Sequence, residues 1–285
     1  MTNPVRAAGF SRGGRRAVRG WLLAGFLALV SLQTGCSRVA VTNRKQLDLI
    51  PSSTMLSMSN EQYSAFLNSN KLSTDRENTE LVKRVGSRIQ GAVERYFRAE
   101  NLSNQLSGYD WRFNLVENKD ANAWAMPGGR VVVYTGLLPI TQTEAGLSVV
   151  MGHEIAHAVA EHGSERMSQQ LLAQFGGMAL SEALSKNPQK TQQIWMTAFG
   201  LGAQYGALLP FGRLQENEAD HLGLIFMAMA GYNPNEALTF WKRMSEGKSG
   251  SPPEFMSTHP SDATRIAKIG QEMPEAMKYY RAATQ

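Results

Sequence analysis

Two histidines four residues apart bracket a glutamate in the run His153-Glu154-Ile155-Ala156-His157. In an α-helix, residues four apart lie about 40° apart around the axis and about 6 Å along it, so both imidazoles point the same way and can bind one ion. Glu154 is about 100° round from His153 and about 60° from His157. It flanks such an ion without being well placed to ligate, which suits a base acting on a metal-activated water. The neighbours Val149, Val150, Met151, Ala158, Val159 and Ala160 are apolar, so this helix is expected to be buried. Unpaired polar groups are costly on a buried helix, and a zinc ion supplies a reason for them.

A hydrolytic zinc site wants three protein ligands and one open position. The run Glu216-Asn217-Glu218-Ala219-Asp220 offers the third. Glu216 and Asp220 are four apart and share a helical face. One can ligate while the other accepts the N–H of a ligating histidine and fixes its tautomer. Glu218 is the competitor for third ligand; it projects about 200° from Glu216, on the side of Leu222, Ile225 and Met229, and Glu216 is favoured over it. An acidic first turn that merely complements the helix dipole would be satisfied by any of the three. Further on comes His259-Pro260-Ser261-Asp262-Ala263-Thr264-Arg265. Alone it is a turn followed by a helix capped by Asp262. Beside a zinc site, His259 or Arg265 becomes a candidate to stabilise the oxyanion formed when a peptide carbonyl is attacked.

The elements that must position these residues follow from apolar spacing. Helical patterns run over Asn60–Leu67 and Thr74–Arg98, the second with Leu81, Val85, Ile89 and Val93 every four residues. A strand is expected at 111–116, then a hairpin of Asn122–Met126 and Arg130–Tyr134 around Pro127-Gly128-Gly129. Helices are expected near 143–162, 164–185, 189–206, 214–230, 234–245 and 262–279. The fold class is therefore α+β, predominantly helical, with a small antiparallel sheet. Thr191–Gly212 contains no charged residue but carries glutamines, glycines and a proline. A helix lying over the catalytic face is expected there, with shallow membrane contact the alternative.

Residues 1–35 read as an export signal, with Arg6, Arg12, Arg15, Arg16 and Arg19 before an apolar run from Trp21 to Leu32. The run ends at Gly35-Cys36, and Cys36 is the single cysteine. This resembles a lipoprotein cleavage site, with Gln33 departing from the usual leucine. It implies lipidation at Cys36 and a membrane anchor; simple signal cleavage is the alternative. Residues 36–58 are then a polar tether and 59–285 the catalytic domain. The basic excess of the chain, 29 Lys and Arg against 24 Asp and Glu, sits wholly in that leader. No basic field is left to attract nucleic acid. The oligomeric state is not readable from the sequence.

The combination of HEIAH at 153–157, ENEAD at 216–220, HPSDATR at 259–265 and NAWAMPGGRVVVYTGLL at 122–138 resembles the HtpX-like and CAAX-prenyl-protease-like zinc metallopeptidases, in particular their periplasmic lipoprotein members. The resemblance implies a gluzincin-type fold, one Zn2+ per chain on His153, His157 and Glu216, and Glu154 as the catalytic glutamate. It also implies a polypeptide substrate bound as an extended strand, with Asn122, Ala123, Trp124 and Ala125 as the contacting edge, unless the hairpin is purely structural. An endopeptidase of cell-envelope proteins, lipid-anchored on the periplasmic side and at the outer membrane, is the expectation. A periplasmic chaperone with little turnover is the alternative.

Overall fold

Val131 and Val133 point to one side of their strand, Val132 and Tyr134 to the other, and each side meets its own apolar core. The computed structural model describes residues 36–39, 41–175, 184, 188–199, 212–246, 254–259 and 263–284. The expected leader at 1–35, the end of the 164–185 helix, residues 200–211 of the uncharged stretch and the Asp262 cap lie outside them.

Three strands form the central sheet: β3 (Arg112–Val116), β4 (Ala123–Met126) and β5 (Arg130–Tyr134), in the order β3-β5-β4. β4 and β5 make the expected hairpin, with Met126 opposite Arg130. Gly128 and Gly129 both have φ near +80°, a conformation glycine adopts without strain. β3 differs from the expected antiparallel arrangement. It lies parallel to β5, with Phe113 opposite Val131 and Leu115 opposite Val133. Since β4 already occupies one side of β5, the chain entering from β3 fills the other, and its apolar alternation matches that of β5 in this register.

One sheet face packs with Val82, Val85, Ile89 and Val93 of helix α2 (Arg76–Ala99) and with helix α3 (Glu144–Val159). Asp75 caps α2 by accepting from Asn78 N, and Thr143 caps α3 by accepting from Gly146 N. The other face meets Met55, Tyr63 and Phe66 of α1 (Ser52–Ser69), Met167 and Leu171 of α4 (His162–Phe175), and Ile194 and Trp195 of α5 (Pro188–Ala198). The chain continues through α6 (Arg213–Met229), α7 (Glu236–Glu246), α8 (Glu254–Thr258) and α9 (Ala263–Thr284). The uncharged stretch thus contributes α5 as a second layer on the sheet. Among the described residues no helix is long and apolar enough to cross a membrane.

The expected tether at 36–58 is corrected by the structure. β1 (Cys36–Arg38) pairs antiparallel with β2 (Lys45–Leu47). Val39, Ile50 and Met55 are buried, and α1 begins at Ser52 rather than near Asn60. The apolar anchors are too few and too irregularly spaced to show a period, so this segment reads as polar although it docks. A second difference lies at 160–162. Helix α3 ends at Val159, Glu161 turns left-handed at φ 60°, and α4 restarts at His162.

Candidate metal centre

Helices α3 and α6 cross with almost no side chain between them. A Cβ on Gly152 would lie 3.0 Å from Gly223 O, and one on Gly223 would lie 3.0 Å from His153 N. This contact brings the His153 turn of one helix against the Glu216–Asp220 turns of the other. His259 reaches the same point from the end of α8, where its N–H bonds to Phe255 O.

Four donor atoms converge there. His153 Nε2 lies 3.0 Å from His157 Nε2 and 3.2 Å from His259 Nδ1. Glu216 Oε1 lies 2.9 Å from His259 Nδ1 and 3.3 Å from His157 Nε2. All four residues are buried, and together they form a group able to hold a metal ion. Donors placed about 2.0–2.1 Å from zinc in a tetrahedron are about 3.3–3.4 Å from one another, so the spacing fits that ion. The chemistry fits as well. Three imidazole nitrogens and a carboxylate oxygen are donor types that zinc takes.

The titration of the bare cluster points the same way. Burial disfavours a charged His153, but hydrogen bonds to Asp220 and Glu216 outweigh it and push the ring up to about 9. Burial, with the charge on His153 beside it, drives His157 well below its ordinary value. Glu216 is held well below the carboxylate range by His259 and Arg265 in spite of its burial.

Glu154 stands outside the donor group, as its helical angle requires. Its Oε1 lies 3.3 Å from His259 Nε2, and burial raises its proton affinity. Asp220 Oδ1 lies 3.0 Å from His153 Nδ1, the nitrogen turned away from the donors. The structure gives Arg265 a different place from the oxyanion position the sequence suggested. Its guanidinium grips Asp220 through Nε–Oδ2 at 2.7 Å and Nη2–Oδ1 at 2.8 Å, and Nη1 lies 2.7 Å from Glu216 Oε2. It sits 3.8 Å above the Trp241 ring. Two carboxylates four apart engage this guanidinium through charge-assisted hydrogen bonds.

The four residues named for substrate contact divide. Tyr134 N donates to Asn122 O, so Asn122 and Trp124 turn their backbone groups to β5, while Ala123 and Ala125 turn theirs to the opposite edge. No described strand pairs there. The Trp124 side chain is core, edge-on to Phe66 at 4.9 Å, and Asn122 Oδ1 accepts from Ala123 N. The sequence reading missed Trp241, which stacks under Arg265. It also missed His162, whose Nδ1 lies 2.8 Å from His157 Nδ1.

A helical α+β domain with this donor group on two crossed helices defines a metallopeptidase class. The model of peptidase family M48 matches residues 84–273, and the chain belongs to that family. It is 36% identical over 173 residues to the mitochondrial metalloendopeptidase OMA1 of Schizosaccharomyces pombe, covering 60% of this chain and 49% of that protein. With OMA1 of Arabidopsis thaliana it shares 32% over 195 residues, 68% of this chain and 38% of the relative. With the Escherichia coli beta-barrel assembly-enhancing protease it shares 29% over 163 residues, 55% and 33% of the two chains. The chain thus spans half or less of the length of these relatives.

The matches confirm the family, and they replace the narrower likeness to HtpX-like and prenyl-protease-like members with these relatives. They also overturn the expected location. The OMA1 relatives from fission yeast, plant, budding yeast and cattle are mitochondrial by name, so a periplasmic, outer-membrane lipoprotein does not follow from the shared motifs. Those motifs encode zinc chemistry, which is indifferent to compartment.

Proposed function

We propose that the chain is a zinc-dependent endopeptidase in which His153, His157 and Glu216 hold the metal and Glu154 moves the proton. The observation that carries this is the buried set of converging donors with a glutamate beside them and outside the set. Zinc, when bound, supplies Lewis acidity and a water acidified toward neutrality. Glu154 Oε1 takes the proton from the attacking water and returns it to the leaving nitrogen. Its burial favours the protonated form, so it holds the proton between the two transfers. Asp220 fixes His153 as the Nδ1–H tautomer and leaves Nε2 to the metal. Arg265 neutralises Asp220 and Glu216 and holds both carboxylates in place. His259 Nδ1 is the fourth of the converging donors and its Nε2 lies 3.3 Å from Glu154 Oε1; in this reading the ring stands at the open position and meets the developing oxyanion rather than ligating.

The substrate in this reading is a polypeptide lying extended along β4. The outward backbone groups of Ala123 and Ala125 would pair with it irrespective of its sequence.

The test is the zinc content and casein hydrolysis of the whole protein and its Glu154→Gln variant. One zinc per chain in both, with turnover abolished by a chelator and absent from the variant, is expected. Proteolysis retained by Glu154→Gln would sink the assignment.

A further inference from the structure

Glu218 belongs to the acidic run of α6 yet takes no part in the donor group, and His162 follows the zinc helix without a role. We propose that these two residues, locked by Thr42 and Arg44 of the amino-terminal hairpin, form a hydrogen-bonded relay that fixes the tautomer of His157 and sets the affinity of the metal centre. This rests on the zinc reading above.

The backbone makes the relay possible. In an unbroken helix, residue 162 would point about 140° away from residue 157. The left-handed Glu161 ends α3 early and turns His162 back, so that the two Nδ1 atoms meet at 2.8 Å. His162 is fully buried, and its Nε2 lies 2.9 Å from Glu218 Oε2. Thr42 Oγ1 donates to Glu218 Oε1, and Arg44 Nε donates to Oε2 at 2.7 Å.

Every proton in this chain of contacts has one place. His157 Nε2 faces the donors and must keep its lone pair for the metal, so its Nδ1 carries the hydrogen. That hydrogen goes to His162 Nδ1, which accepts. The His162 hydrogen is then on Nε2 and goes to the Glu218 carboxylate. A second carboxylate holds the cation at the far end. Arg44 grips Glu165 through Nη1–Oε1 at 3.0 Å and Nη2–Oε2 at 2.9 Å, and Gln215 Nε2 donates to Glu165 Oε2 at 2.8 Å. Arg44 therefore sits between two mostly buried carboxylates, and its fork is needed for both. Neither His162 nor Glu218 belongs to the donor set; both are positioning residues that act through His157.

The whole protein with His162→Phe, which keeps ring volume but offers no acceptor, tests the relay. Zinc affinity, measured by competition with a chromogenic chelator, is expected to fall about 10–100-fold, and a smaller loss is expected for Arg44→Met. Unchanged affinity in a folded His162→Phe protein overturns the proposal. Should that variant not fold, Arg44→Met gives the same reading from one step further away. Long-range 1H–15N spectra of the unsubstituted protein, which has five histidines, are expected to show His157 as Nδ1–H and His162 as Nε2–H. A protonated or Nδ1–H His162 overturns the relay as well. If the protein binds no zinc, the peptidase reading fails; a zinc-loaded protein whose affinity ignores His162→Phe fails the relay alone.

Discussion

The α-carbon of Gly223 rests against the backbone of His153: a Cβ at 223 would come within 3.1 Å of both the nitrogen and the Cα of that residue. The His153 turn is thus seated on bare backbone, and the helix separation at the site is set by two glycines. Gly223→Val is expected to force α3 and α6 apart and lose zinc. An overpacking cost of about 1–3 kcal/mol should appear in denaturant melts. Metal analysis beside the melt checks this, and full zinc occupancy in a folded Gly223→Val protein would contradict it.

Arg265→Met removes the guanidinium that grips both Asp220 and Glu216, two buried carboxylates. A loss of about 3–5 kcal/mol in stability is expected. Arg265→Lys should restore little, because an ammonium cannot supply the planar fork that meets both oxygens of Asp220. Equilibrium unfolding of the two variants, compared with the unsubstituted chain, reads the difference directly.

Ala125 turns its N–H away from β5, so Ala125→Pro removes a donor the sheet does not use. If a peptide substrate pairs with this edge, KM should rise several-fold while kcat stays near its original value. A KM left unchanged in a folded variant would move the substrate elsewhere.

Glu161 is pushed up to about 7 by burial and by the neighbouring Asp48. Its unfolded value is near 4.5, so between these two pH values the folded chain holds a proton that the unfolded chain has lost. Stability contributed by the neutral carboxyl is complete below pH 4.5 and falls as pH rises toward 7. Glu272, also raised to about 7 by burial, adds to the same trend. Glu161→Gln should raise the urea midpoint at pH 8 and leave it nearly unchanged at pH 4. An equal shift at both pH values would rule out titration as the cause.

The convergence of the candidate donors was legible because His153, His157 and Glu216 sit at helical spacing. His153 with His157, and Glu216 with Asp220, announce a shared face, and the structure brings those faces together. The angle that set Glu218 apart from Glu216 also holds, since Glu218 lies outside the donor group. What was not legible depends on contacts between distant segments. Nothing local marks Arg44 as the partner of Glu218, and nothing in Ala160-Glu161-His162 signals a left-handed residue, because glutamate rarely occupies that region. The parallel pairing of β3 escaped for the same reason. Its alternation indicates a strand but not which neighbour or direction it will take. Arg265 was found as a residue but given another place, since only the fold shows that two carboxylates reach it first.

The hairpin that binds Glu218 also fixes when this centre can exist. Thr42 and Arg44 meet Glu218 more than 170 positions later, and Arg265 closes the site from α9. A ribosome has to release the sequence through Arg265 before these pieces can meet, and such distant closures are slow. During synthesis the nascent chain therefore carries its histidines without a formed cradle. On the peptidase reading, competence would arrive only once α9 has docked.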